Sequence, residues 1–321
     1  MAQRKAILVT RPDISRDVVQ KVKSVLCEND IAVDLVTNLP VRPLGQWKKP
    51  QLDPNTEIVV VLGGDGTLLG AAELVKSTHV PILGVNMGHV GFLAEFESFQ
   101  LKEAIKRIVS RNYHVSQRTL ADVRVYLPGQ STPLHDWALN EATIEKAERG
   151  RMVSLGIAID GQEISSYSAD GLILSTPTGS TAYAFSAHGP VIWPDADCLE
   201  LVPLAAHALF ARPLILSPHA HVRVGVLEGN SGGWLTCDGR RSVELPVGSR
   251  VVIQECKDRL SIATLSEVPF SKRLVTKFAL PVTGWRQRTQ ISPHGDQPND
   301  HQDDQSDDHY DQHGNEEGHA L

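Results

Sequence analysis

The sequence predicts an N-terminal doubly wound α/β domain followed by a second, β-rich, sandwich-like domain, and three observations carry that prediction. Ile58–Leu62 is a run of five apolar, mostly β-branched residues that breaks into Gly63-Gly64-Asp65-Gly66, which suits a strand buried on both faces of a parallel sheet ending in a ligand loop. After Tyr113 the periodicity changes to alternation, as in Ala121, Val123, Val125 and Leu127. From residue 291 the chain turns polar and acidic. These changes divide it into an α/β part over 1–112, a β-rich part over 113–267, a return of 268–290 to the first part, and a disordered acidic, His-rich tail over 291–321.

Taken in order, Ala6–Thr10 is a short apolar strand, and Ser15 opens a helix to about Asn29 with Val18, Val22, Val25 and Leu26 on one face. Ala32–Val36 is a second strand. Four prolines between 38 and 56 mark a surface connection. Three glycines within four positions after Leu62 allow φ > 0 and a backbone lying against a ligand. Thr67 then opens a helix through Lys76 whose N-terminus favours an anion beside the loop. Pro81–Val85 is another buried strand, ending in the glycine-containing Asn86–Leu93. Two such loops after parallel strands face one crevice. Ser98–Ser110 is an amphipathic helix with a serine N-cap.

In the second part, strands are expected at 138–144, 153–159, 171–174, 214–216, 222–226, 234–237 and 251–254, with hairpin turns at Asp160-Gly161 and Asp238-Gly239. Ser271–Leu280 reads as a helix.

Three readings compete for the glycine loop. A plain strand-to-helix turn has little use for three glycines and an acid. A dinucleotide-binding oxidoreductase loop, G-x-G-x-x-G, is out of register, since Gly64, Gly66 and Gly70 are spaced one residue too far; no Walker-type loop occurs. In a kinase loop the carboxylate of Asp65 makes a poor phosphate ligand and a sensible base for an attacking hydroxyl. Two further clusters carry polar chemistry. Asp170–Ser186 crowds hydroxyls around Pro177-Thr178-Gly179-Ser180-Thr181, offering them and backbone N–H groups to a polar ligand. Asn140-Glu141 interrupts an apolar strand, where adjacent residues point to opposite faces, so a bulge or strand end at a ligand resolves the burial of one of them.

Together GGDGT at 63–67, GVNMGHVGFL at 84–93, NE at 140–141 and DGLILSTPTGSTAY at 170–183 resemble the NAD kinase family, from about residue 5 to Trp285. The resemblance implies ATP-dependent phosphorylation of the adenosine ribose 2'-hydroxyl of NAD, with magnesium on the nucleotide phosphates and Asp65 as general base. It further implies that Gly66 admits the ligand to the backbone and that Asn140 and Glu141 hold ribose hydroxyls. Asp170, Thr181, Ala182, Tyr183 and Ser186 line the dinucleotide pocket, Phe92 packs on adenine or in the core, and Arg151 is a basic pocket position. A homodimer or homotetramer is implied, in some members with a neighbouring subunit completing the pocket. His188, Arg240 and Ser168 depart from the common pattern, and the last leaves polyphosphate open beside ATP as donor. Lipid or sugar kinases with similar glycine loops and a non-catalytic dinucleotide sensor are the alternatives.

The net charge of −7 is misleading until divided. Residues 291–321 hold nine Asp/Glu and no Lys/Arg, leaving 31 basic against 29 acidic residues elsewhere, so nothing suggests a nucleic-acid surface. The tail's five histidines read as solvated rather than as a metal site. Four scattered cysteines without a C-x-x-C pair argue against a zinc site or a disulfide framework, and no metal-ligating residue is assigned. Without an 18-residue apolar run or a signal-like N-terminus, a soluble cytoplasmic protein with no membrane partner is expected.

Overall fold

The computed structural model describes residues 3–281 apart from 87–90, 97–100, 210, 230, 266 and 267, with the backbone alone of 94–96. The expected Met87–Val90 part of the second loop, the Ser98 cap, and the acidic tail with its histidines lie outside the described residues.

Nineteen strands in this range form three sheets. The first contains β1 (Arg4–Thr10), β2 (Ile31–Val36), β3 (Thr56–Leu62), β4 (Ile82–Val85), β5 (Ala94–Phe96), β6 (His114–Arg118) and β19 (Leu260–Thr264), in the order β2-β1-β3-β4-β19-β6 with β5 also on β4. β1 to β5 pair in parallel, and β6 closes the edge antiparallel to β19. Helices α1 (Arg16–Glu28) and α3 (Leu101–Val109) cover one face and α2 (Asp65–Val75) the other, so the sheet is doubly wound. β3 shows why its run is uniformly apolar: Ile58, Val60 and Leu62 face the α1–α3 side while Val59 and Val61 face α2.

The second sheet orders β11 (Gln162–Ala169), β10 (Val153–Ile159), β15 (Val222–Val226), β18 (Arg250–Glu255), β7 (Ala121–Tyr126) and β8 (Leu134–Ala138). The third orders β14 (Leu214–Leu216), β13 (Leu199–Leu204), β12 (Gly171–Ser175), β9 (Glu141–Lys146), β16 (Gly233–Cys237) and β17 (Arg241–Leu245). Residues from both fill one hydrophobic core, Val123, Leu155 and Val224 from the second meeting Ile144, Leu172 and Leu235 from the third. This is the packing of a β-sandwich. Both expected hairpin turns form, with Asp160 and Gly161 at φ 52° and 86° and Asp238 and Gly239 at 53° and 62°.

The strands at the two ends of the expected β-rich segment, β6 and β19, hydrogen-bond into the first sheet. The core on the α2 side takes in Trp137 and Leu139 from the sandwich side, so α2 is shared between the layers. Residues 1–280 accordingly form one compact unit. The last helices are short α4 (Tyr183–Ser186) and α5 (Phe270–Phe278).

Candidate active site

The glycine loop differs from expectation in its backbone. α2 begins at Asp65, two residues before Thr67, with extended Gly64 (φ −91°, ψ −172°) as its N-cap. None of Gly63, Gly64 and Gly66 adopts a positive φ. What matters here is the missing side chain. A Cβ on Gly63 would lie 2.6 Å from Thr67 Oγ1, whereas one on Gly64 or Gly66 would meet no protein atom within 4 Å. The loop presents bare backbone to open space on both sides of Asp65, and the acid stands at a helix N-terminus where the dipole favours negative charge.

The second loop supplies two partners of that carboxylate. The Phe92 and Leu93 amides donate to Asp65 Oδ2 and Oδ1, each at 3.1 Å. Gly91 permits this approach, because a Cβ there would collide with the carboxylate.

Asn140 and Glu141 lie at a strand end, as the sequence implied. The chain bends at Leu139-Asn140 after β8, and Glu141 opens β9. Asp238 holds the bend by accepting the Leu139 amide at 2.9 Å and the Asn140 amide at 2.7 Å. From the other side, the Asn140 carbonyl accepts the Thr176 amide at 2.9 Å and the Ser175 hydroxyl at 3.3 Å, and Gly179 packs so close that a Cβ would overlap this carbonyl. The backbone is satisfied, but Asn140 Oδ1 and Glu141 Oε2 are buried without a hydrogen-bond partner. Burial, and then the Asp238 charge, push Glu141 up to about 8, partly offset by the Tyr183 amide. Tyr183 donates its hydroxyl to Glu145 at 3.0 Å and is itself pushed up to about 12, first by burial and then by that carboxylate. Lys146 pairs with Asp170 at 2.5 Å.

Asp238 belongs to a buried ionic network that the sequence reading did not detect. Arg241 pairs with Asp238 at 3.0 Å, with Asp136 at 3.1 Å and with Glu73 of α2 at 2.9 Å, and the Arg241, Asp136 and Asp238 side chains are 0% exposed. Arg42 joins Glu73 to Asp136 at 3.0 and 2.8 Å. Arg240, left outside the site by its departure from the family pattern, lies against Gly70 of α2 and 3.6 Å from Glu73. Asp238-Gly239 was visible as a hairpin turn, and its closeness to two arginines was the available signal.

On the open side, Phe92 packs its ring 5.5 Å from Phe278 of α5, and Phe278 stacks at 4.4 Å on Phe185 of α4. The contacts therefore close a circuit: Asp65, Phe92, Phe278, Phe185 with its neighbour Tyr183, Glu141, Asp238, Arg241, Glu73 and back along α2 to Asp65. Thr181 and Ala182 are half-buried just before α4, and Ser186 is exposed at its end. Arg151 stands apart on an exposed turn, paired with Glu148 at 3.5 Å. Ser168 bonds the Ser154 hydroxyl at 3.1 Å, and His188 is exposed with φ 64°. Among the described residues no group of three His, Cys, Asp or Glu is arranged to hold a metal, and no helix is long and apolar enough to cross a membrane.

Comparison with known proteins places the chain in a family. Residues 48–113 match the family model described as the ATP-NAD kinase N-terminal domain, and residues 139–265 the ATP-NAD kinase C-terminal domain. The NAD kinase of Bifidobacterium longum subsp. infantis is 53% identical over 293 residues, covering 90% of this chain and 86% of that protein. That of Thermobifida fusca is 52% identical over 236 residues, covering 73% and 72%. A crystal structure of an NAD kinase from Archaeoglobus fulgidus in complex with ATP superimposes with a TM-score of 0.64 at 25% identity, covering 86% of this chain and 97% of that one. Yeast NADH kinase complexed with NADH shares the fold, with a TM-score of 0.74 at 22% identity over 90% of each chain. With both family models matched and relatives more than half identical over most of their length, the chain belongs to the NAD kinase family.

Proposed function

We propose that this chain phosphorylates the adenosine ribose 2'-hydroxyl of NAD with ATP, and that Asp65 is the general base. The 2'-hydroxyl proton passes to the Asp65 carboxylate, the 2'-oxygen bonds to the γ-phosphorus, and the bond from that phosphorus to the bridging β–γ oxygen breaks, releasing ADP and NADP. A secondary alcohol needs that proton removed as it attacks. The amides of Phe92 and Leu93 donate to the two carboxylate oxygens and so orient the group that takes the proton.

The observation that carries this reading is the pairing of bare backbone around Asp65 with buried, partnerless Asn140 Oδ1 and Glu141 Oε2, a cost of roughly 1–3 kcal/mol per group until a ligand supplies hydrogen bonds. Ribose hydroxyls are such ligands. Raised to about 8, Glu141 is mostly protonated at neutral pH and both donates and accepts. Asp170 beside Lys146, together with Thr181, Ala182, Tyr183 and Ser186, forms the remaining polar wall, and Gly66 leaves room for the ligand. Exposed Arg151 serves at the rim, where a neighbouring subunit of a homodimer or homotetramer reaches the pocket. In this reading the α/β part over 1–112 and the β-rich part over 113–267 supply opposite walls of the crevice. Magnesium held by the ATP phosphates would supply charge neutralisation during the transfer. The enzyme works in the cytoplasm.

The test supplies NAD, magnesium and either ATP or polyphosphate and follows NADP with an NADP-specific dehydrogenase. NADP from ATP is expected. Signal from polyphosphate as well extends the donor range, and no NADP from either donor in folded protein sinks the reading.

A further inference from the structure

One helix converges on a single residue of the second loop. α5 contributes no buried residue, yet Phe270 and Phe278 place their rings 6.0 and 5.5 Å from that of Phe92, and between them in sequence Arg273 Nη1 donates to the Phe92 carbonyl at 3.2 Å. The same peptide segment faces Asp65 with its other polar groups, since the Phe92 and Leu93 amides both donate to the carboxylate. Gly91 brings this turn so near that no side chain fits between it and Asp65. Phe92 is thus gripped at its carbonyl and ring by α5 and at its amide by Asp65.

Arg273 is also a cation held against a desolvation cost. Burial draws its pKa down, and the opposing influence is the negative charge of Asp65. Other cations around the site are committed elsewhere: Lys146 to Asp170, and Arg241 and Arg42 to Glu73, Asp136 and Asp238.

We infer that Arg273 is a positioning residue for the phosphoryl transfer. It pins the Phe92–Leu93 turn so that its two amides aim the Asp65 carboxylate, and it sets a positive charge beside that base where an anionic phosphoryl group must approach. The inference rests on the reading of Asp65 as the base. Misplacing a reacting group by about 1 Å costs on the order of 100-fold in rate, so the effect belongs in kcat and not in binding.

The test compares Arg273→Met, Arg273→Lys and Arg273→Ala with the full-length enzyme, and runs Asp65→Asn alongside. Arg273→Met is expected to lower kcat by roughly 10- to 100-fold, with KM for NAD and ATP within about twofold and the thermal midpoint unchanged. Arg273→Lys should recover part of the loss, and added guanidinium ion should restore turnover to Arg273→Ala, which a merely structural contact would not allow. Wild-type kcat in Arg273→Met, or a loss matched by a fall in thermal midpoint and insensitive to guanidinium, overturns the inference. If Asp65→Asn keeps its turnover, the base assignment falls and this inference with it; if Asp65→Asn is inactive while Arg273→Met is not, only the role of Arg273 falls.

Discussion

The two attachments of the glycine loop are built from opposite materials. On the inner side α2 is tied through Glu73 to Arg241, and through Arg241 to Asp238, which grips the Asn140 amide; the side chains of Arg241, Asp136 and Asp238 are wholly buried. On the outer side the Phe92–Leu93 turn is tied to α5 by half-exposed rings and one guanidinium, and no residue of α5 is buried. Buried ions without partners are expensive, so the inner attachment keeps one geometry or the fold fails. The outer attachment can loosen at little cost to the fold and exact its penalty in turnover.

The difference is open to test from its larger side to its smaller. Arg241→Met leaves Asp238 buried with its cation gone and Asp136 with Arg42 alone, and removing one partner of such a pair costs about 3–5 kcal/mol. A fall in thermal midpoint on the order of 10 °C is expected, followed by circular dichroism. A fall of a degree or less would show that the network is not what fixes the inner side.

A smaller effect comes from Glu141, whose folded-state pKa of about 8 lies above its value of about 4.3 in an unfolded chain. Between those values the folded protein holds a proton that the unfolded chain has released, so stability falls as pH rises through the window, and the full cost is present above pH 8. Glu141→Gln removes this slope. Its thermal midpoint relative to the natural protein should therefore climb by about 5 °C between pH 5 and pH 8, and a difference that stays flat or reverses would mean that Glu141 is not buried as an acid. Smallest in stability is Arg273→Met, whose effect is confined to kcat.

Much of this was legible in the residues. The β-branched run of β3, the two Asp-Gly hairpins, and the strand end at Asn140-Glu141 follow from period, turn chemistry and the conflict of two polar residues on opposite faces of a strand. Several strands went unread, β5, β6 and most of β8 among them, and four others show the physical reasons. β11 lies on a sheet edge with a mostly polar, solvent-facing sequence, β13 contains Glu200 and Pro203, and β17 starts with Arg241, which a surface-minded reading never buries. β19 closes the first sheet only by pairing with residues more than 140 positions earlier. The freedom for positive φ that three glycines offer goes unused in the glycine loop; open space, which no sequence displays, is what Gly64 and Gly66 provide. Glu73 with Arg241 and Phe92 with Arg273 are bonds across 168 and 181 residues, and nothing local announces them.

The most direct measurement compares NADP formation by the natural protein and Asp65→Asn at saturating NAD and ATP, with NAD affinity measured by calorimetry on both. A base that acts only as the proton leaves predicts a kcat lower by roughly 100-fold or more with NAD affinity within a few-fold. Turnover near that of the natural protein, at unchanged affinity, would contradict it and return the loop around Asp65 to a role in binding alone.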